Sequence, residues 1–430
     1  MREALRHRDF RYLFTGQAVS AVGDQIFPIA VTVHVLDNGG SVGDLGLVLA
    51  ARTAALVLFA LLGGVWADRL PRVRVLIGAD AVRLVAVVGL VLVMTGTTST
   101  AALATLTFLV GAGEAFFRPA FGALIPSVLP DEQLPMGNAL SGMTFHTAAI
   151  VGPGLAGILV ALVGPKGALL VDAVTFGFSL AMLLLVREPA RAFQPRRRVH
   201  TEIVEGIAAV RARRWIGAVL LMAMVQLMLL VPATTVLLPK AVKDSGSPTS
   251  TYGYVLALGA VGGLIGAVTA GHWRPRRPGL VSMLLLLPFA AEPLALLAGA
   301  PLWVLTAAWF AASLGLGPFL VYWETALQRD VPPELLARVI SLDWMCSFAL
   351  MPLGLALVGP AVDAFGRDAV LWVAVLAAVV PPLVCLPVPG MLRFKTPALS
   401  RNRGRTPLGP LAGGSKGSIG ARRRTTSCEE

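Results

Sequence analysis

Apolar segments long enough to cross a lipid bilayer recur twelve times along the chain, and this repetition leaves few folds open. About 20 helical residues span some 30 Å of hydrocarbon. Runs of that kind occupy residues 10–36, 45–67, 75–94, 101–117, 140–163 and 168–186. Beyond a basic interval they return at 215–238, 252–273, 280–297, 302–325, 339–360 and 369–387. Lipid offers no hydrogen bonds, so the backbone of each run must satisfy itself, which a helix does. Only 14% of the 430 residues are charged, against about a quarter in a soluble domain. The expectation is an all-α membrane protein with twelve transmembrane helices in two six-helix bundles. Residues 1–187 form the first half, 188–214 a cytoplasmic linker, 215–388 the second half, and 389–430 a disordered basic cytoplasmic tail. The first run follows a basic start as a signal peptide would. It lacks a cleavage pattern and leads into further apolar runs, so it reads as an uncleaved helix.

The placement of charge gives the orientation. With the amino terminus in the cytoplasm, 30 of the 36 Lys and Arg fall on the cytoplasmic side, and only Lys166, Lys240, Lys243 and Arg367 fall outside. Arg52 and Arg83 lie within helices. Such a split fits the positive-inside rule with an even number of crossings and both termini cytoplasmic. The net charge of +12 is spread through short gaps, not gathered in a patch, which argues against nucleic acid as a partner. Arg outnumbers Lys 31 to 5 in a chain rich in Ala, Gly and Pro, a composition of GC-rich bacterial genomes; a bacterial inner membrane is expected. Trp66, Trp215, Trp273 and Trp323 fall near cytoplasmic helix ends and Trp303 and Trp372 near outer ends, as interfacial belts do. Cys346, Cys385 and Cys428 show no disulfide or metal-ligand spacing, and neither metal nor cofactor is expected. In the linker, Ile203, Ile207 and Val210 recur at helical spacing beside Glu202, Glu205, Arg211 and Arg213; this is an amphipathic helix lying on the cytoplasmic face.

Between the second and third runs the chain reads Gly63-Gly64-Val65-Trp66-Ala67-Asp68-Arg69-Leu70-Pro71-Arg72-Val73-Arg74. Gly64 permits close helix approach, Asp68 can pair at a helix end, and Arg69, Arg72 and Arg74 are fixed cytoplasmic charges. The stretch 271–278 repeats the basic cluster without the acid, as parallel repeats would. In the fifth run, Gly152, Pro153 and Gly157 stand where a kink and tight packing are possible.

These motifs resemble the major facilitator superfamily. The G-x-x-x-D-R-x-x-R loop is that family's signature, and the resemblance implies a latch holding the two halves outward-open. Gly152-Pro153-Gly154-Leu155-Ala156-Gly157 resembles its antiporter motif, with Ala156 in place of a glycine, and implies export. Arg8-Asp9-Phe10-Arg11, Ser20-Ala21-Val22-Gly23-Asp24, the stretch 111–120 and Asp330-Val331-Pro332-Pro333-Glu334 with Arg338 are similar to the branch of siderophore and macrolide exporters. Proton-coupled members carry an arginine in the fourth helix where Thr107 stands here, which moves any proton coupling to other residues.

Charges inside a membrane are costly and are therefore functional candidates. Asp24, with Gln17 one face along the first helix, and Arg52 and Glu292 are candidate cavity residues for substrate or proton. Asp80 and Arg83, and Glu114 and Arg118, are spaced to pair along one helix face and read as gate-side ion pairs. Glu324 and Asp343 lie near the cytoplasmic surface, Asp172 near the outer end of the sixth helix, and His146 is read as a packing residue. The sequence offers no nucleotide-binding segment: Gly111-Ala112-Gly113 follows no strand, and 413–418 sits in the basic tail. The function expected is not enzymatic. It is export of a drug, antibiotic, natural product or siderophore by a monomeric carrier with proton antiport. Import by symport, or ligand sensing without flux, are the competing readings. A reporter phosphatase fused after Arg198 should stay inactive in the cytoplasm; an active fusion would contradict the topology.

Overall fold

A computed structural model describes residues 4–96, 99–188 and 199–395, the side chains of 60–69, 146, 150, 199–203, 333 and 337 excepted. Among the described residues the regular structure is helical throughout. In chain order the helices are α1 (Arg8–Asp37), α2 (Val42–Arg69), α3 (Arg72–Val93), α4 (Thr100–Val128) and α5 (Leu134–Leu184). After them come α6 (Val199–Arg211), α7 (Arg214–Val225), α8 (Val231–Asp244), α9 (Tyr252–His272), α10 (Pro278–Leu285) and α11 (Ala291–Leu297). The last are α12 (Leu302–Asp330), α13 (Pro333–Ala349), α14 (Met351–Phe365) and α15 (Arg367–Cys385).

Among the described residues eleven continuous helical stretches are long and apolar enough to cross a membrane, but one of them crosses twice. Helix α5 breaks at Gly164, whose φ of 73° only glycine adopts without strain. Its first arm runs with α1: Gly137 lies against Phe10 and Gly152 against Gln25. Its second arm runs the other way, with Gly23 against Thr175 and Gly16 against Met182. Two arms that flank α1 in opposite directions form a hairpin, which gives twelve crossings.

Several crossings in the second half are interrupted where proline or a wide turn disturbs the hydrogen-bond ladder. A π-turn at Gln226–Leu230 joins α7 to α8 ahead of Pro232. A 3-10 turn at Leu287–Ala290 joins α10 to α11, at Pro288 and ahead of Pro293. The expected single span 280–297 is therefore a bent pair.

Two faces follow from this path: one holds the start of α1, and the opposite face holds residues 37–42. Toward the opposite face the two halves share one apolar cluster. It unites Phe27, Leu45 and Ala156 of the first half with Val236, Val255 and Leu355 of the second. Toward the amino-terminal face each half keeps its own core. One is built on Phe10, Leu76, Phe117 and Phe121, the other on Trp215, Phe319, Trp323 and Phe394.

Glycine makes the shared seam possible. A Cβ on Gly253 of α9 would stand 2.8 Å from the Pro153 carbonyl oxygen and 3.0 Å from the Gly157 Cα. Gly43 of α2 meets Gly359 of α14 backbone to backbone, and Gly46 meets the Leu355 carbonyl. Polar contacts between the halves lie at the same level. Lys243 bonds the Leu36 carbonyl and stands 3.9 Å from Asp37, while Thr249 donates to Asp37 at 2.6 Å.

Two tryptophans depart from the expected belt. Trp303, Trp372 and Trp273 are exposed, but Trp215 and Trp323 are buried and packed edge to face. Their indole N–H groups reach Asp330 at 3.1 Å and Asp343 at 3.0 Å, so polar partners draw them into the core instead of the interface. The second half also runs past residue 388, because Met391 and Phe394 are buried in this cluster; residues 396–430 of the expected tail lie outside the described residues. The linker helix α6 packs on α13 through Glu205 and Arg338 and the Gly206–Leu342 contact.

Gly157→Val should wedge the seam between α5 and α9. Overpacking costs about 1–3 kcal/mol, equivalent to roughly a 5- to 150-fold change in a conformational ratio. A cysteine at Thr249 should then react faster with an impermeant maleimide in the variant; equal rates would count against a glycine-sealed seam.

Candidate functional site

Charges meet in the middle of the first half because small residues let four helices close around them. A Cβ on Gly113 of α4 would stand 2.6 Å from the Arg83 Cγ and 2.9 Å from the Ala79 carbonyl oxygen of α3. On the other side of α4, Gly111 lies directly on the Arg52 backbone of α2. The two glycines thus bring one arginine from each neighbour to the flanks of Glu114.

Arg83 is the centre of this arrangement. It is 1% exposed, and its guanidinium lies between the rings of Phe117 and Phe176, 4.4 and 4.5 Å from their centroids. It pairs with Asp80 one turn earlier and stands 3.4 Å from Oδ1 of Asp24 on α1. The other Asp80 oxygen accepts from Ser179 Oγ at 2.7 Å. Glu114 is held from both sides. Arg52 donates to its Oε2 at 3.1 and 2.8 Å, and Arg118 donates to its Oε1 at 3.0 and 2.6 Å. Each guanidinium thus converges two N–H groups on a single Glu114 oxygen, and such charge-assisted hydrogen bonds are stronger than neutral ones. Asp24, whose side chain is 20% exposed, is the accessible carboxylate of the group, while Asp80 and Glu114 are enclosed.

The arrangement changes one expectation. Asp80–Arg83 and Glu114–Arg118 do pair along their helices, but they do not stand apart from the cavity residues: Arg83 reaches Asp24 and Glu114 reaches Arg52. The Arg52 guanidinium is committed to Glu114. These contacts join residues 59 and 62 positions apart, beyond what spacing within a helix reveals. Gln17, earlier on α1, is buried, and among the described residues its Oε1 lacks a hydrogen-bond partner. Thr107, likewise buried, has an unpartnered hydroxyl.

Glu292 is not brought to this cluster. It is buried on α11 in the second half, hydrogen bonded with Thr234 of α8. Of the loop motif, Gly64, Asp68 and Arg69 end α2, and their side chains lie outside the described residues. Arg72 opens α3 buried, donating to Ser127 Oγ at 2.7 Å, while Arg74 is exposed. Gly152 lies on Gln25, next to Asp24, and Pro153 and Gly157 lie on Gly253. His146 falls outside the described side chains. Among the described residues no three His, Cys, Asp or Glu side chains converge as metal ligands would.

Sequence reasoning missed the contribution of the second α5 arm. Asp172, Thr175, Phe176 and Ser179 face the charges. The signal was present as a polar stripe at i, i+3 and i+7 in an otherwise apolar run.

The profile of the Major Facilitator Superfamily matches residues 13–355. The chain is 30% identical over 366 residues to the multidrug efflux pump Tap of Mycolicibacterium fortuitum, covering 81% of this chain and 88% of that protein. It is 25% identical over 371 residues to macrolide efflux protein A of Streptococcus pyogenes, covering 83% and 90%. Its fold matches, with a TM-score of 0.69 and 17% identity over 91% of this chain and 99% of the other, a bacterial homolog of the human lysosomal transporter Spinster in an inward-facing, unoccupied conformation. With twelve crossings, glycine-sealed halves and a profile spanning most of its length, the chain belongs to the major facilitator superfamily.

Proposed function

We propose that the chain is a secondary-active exporter of small amphipathic molecules at a bacterial inner membrane, with both termini in the cytoplasm and the halves 1–187 and 215–388 rocking about a central cavity. The observation that carries this reading is the asymmetry of packing. One apolar cluster binds the halves at the opposite face, while the amino-terminal face has two separate cores. A carrier closed at one end and divided at the other is in one of the two states that alternating access requires. With the amino terminus in the cytoplasm, this is the inward-facing state, ready to load.

Asp24 is the group offered to what enters. It is partly exposed, lies on α1 about two turns beyond Gln17, and is held by Arg83 at 3.4 Å. A cationic centre on the substrate, or a proton, competes with Arg83 for it. Arg52 and Arg118 cover the Glu114 side of the cavity, and the Gly64–Arg74 loop with Asp68 latches the amino-terminal face once the halves close there. Export as the direction is supported by the efflux proteins it resembles along most of its length. Proton antiport supplies the energy, and the carrier works as a monomer in lipid, without a cofactor.

Everted vesicles energised by a proton gradient should accumulate a radiolabelled macrolide. Asp24→Asn should insert normally yet lose that uptake by about ten- to a hundred-fold, the worth of one charge-assisted hydrogen bond of roughly 1.5–3 kcal/mol. Uptake by the variant equal to wild type across pH would remove Asp24 from the mechanism. Accumulation only in right-side-out vesicles would make the carrier an importer.

A further inference from the structure

Asp172 has no part in the reading above, yet it is as fully enclosed as Asp80, 0% exposed on the second arm of α5. Its Oδ1 lies against Gly23, the residue preceding Asp24, where only the missing side chain leaves room for it. Thr175 Oγ1 reaches that oxygen at 3.4 Å, but Oδ2 has no hydrogen-bond partner.

The surrounding charges are already committed. The charges that act on it are Asp24 of α1, Arg52 of α2 and Arg83 of α3; Asp80 of α3 is tied to Arg83, and Glu114 of α4 to Arg52 and Arg118. Tyr252 of α9 is turned to the Pro28 carbonyl. Three guanidinium groups therefore face four carboxyls. Arg52 and Arg118 hold Glu114, and Arg83 holds Asp80 and Asp24. A bare carboxylate at Asp172 would be a buried charge offset only by the Thr175 hydroxyl and by Arg83 and Arg52, whose ion pairs are made with other carboxylates, a costly state.

We propose that Asp172 is a proton-binding site of the carrier, occupied in this conformation and emptied when Arg83 changes partners. Arg83 has the means to change, because its Nε–H is buried and also unpartnered. When a substrate cation or a proton takes Asp24, Arg83 is released to turn that N–H toward Asp172. The O–H bond of the acid then breaks, the proton leaves to water, and the carboxylate that remains is paired with the arginine. One guanidinium shared in turn by two carboxyls links loading of Asp24 to proton release from Asp172. The transport role rests on the antiport reading, whereas the protonated acid itself does not.

Difference infrared spectroscopy on the purified full-length chain tests the site without a substrate. The test is made in a Glu292→Gln background, which removes the buried carboxyl of α11; the enclosed Asp80 and Glu114 are already ion-paired with arginines. At neutral pH the carbonyl-stretch band of a protonated carboxylic acid should be present, persist in Asp24→Asn and vanish in Asp172→Asn. Survival of the band in Asp172→Asn, or its loss in Asp24→Asn alone, overturns the proposal. Should Asp172→Asn fail to fold, Asp172→Glu should shift the band, and an unshifted band overturns it equally. In liposomes, Asp172→Asn should keep downhill macrolide exchange but lose gradient-driven uptake; retained gradient-driven uptake overturns the transport role. A wild type that exchanges macrolide yet ignores the proton gradient would sink the antiport reading, leaving the infrared band to decide on Asp172.

Discussion

A guanidinium cannot be left bare inside a bundle of apolar helices, and the first half is organised around meeting that requirement for Arg83. Two aromatic faces, two carboxylates and the Ser179 hydroxyl behind one of them surround it. Removing one partner from a buried pair typically costs about 3–5 kcal/mol, because it leaves the other charge uncompensated. That penalty gives the site its usefulness. A group that must always have a partner, and has more than one within reach, is a switch whose setting follows whichever carboxylate is free.

The switch sits beside the seam that it would have to control. Gln25, the neighbour of Asp24, is the residue on which Gly152 packs, and Pro153 and Gly157 next along that arm carry the contact to α9. A change at Asp24 is thus one residue from the backbone-to-backbone packing that closes the opposite face. Close-packed interfaces move between discrete arrangements and do not deform gradually, so a local change of partner can be read out as opening of the whole face. On the amino-terminal side the separate cores let each half move as a body, with the linker helix fastened to the second half through Glu205 and Arg338.

Much of this was legible in the residues because the bilayer permits so few solutions. The twelve apolar runs, and the pairs Asp80–Arg83 and Glu114–Arg118, follow from helix length and spacing alone. The contacts Arg83–Asp24 and Arg52–Glu114 were not legible, because they join helices whose relative rotation no periodicity encodes. The two arms of α5 correspond to the two apolar runs 140–163 and 168–186, although the helix is nearly continuous through the turn at Gly164. Trp215 and Trp323 misled because a tryptophan at a helix end looks the same whether it faces lipid or a buried carboxylate. Glu292 was grouped with the cavity because it is an acid in a membrane helix; it is buried on α11 with Thr234, apart from the charges around Arg83.

The central claim is that closure alternates between the two faces. Spin labels at Asn38 and Ser245 would report the opposite face, and labels at Asp131 and Arg274 the amino-terminal face, by pulsed electron–electron distance measurement in lipid. Without substrate the first pair should be close and the second far; adding a macrolide together with a change of pH should lengthen the first distance and shorten the second in the same molecules. Distances that stay fixed, or that lengthen or shorten together at both faces, would contradict the account.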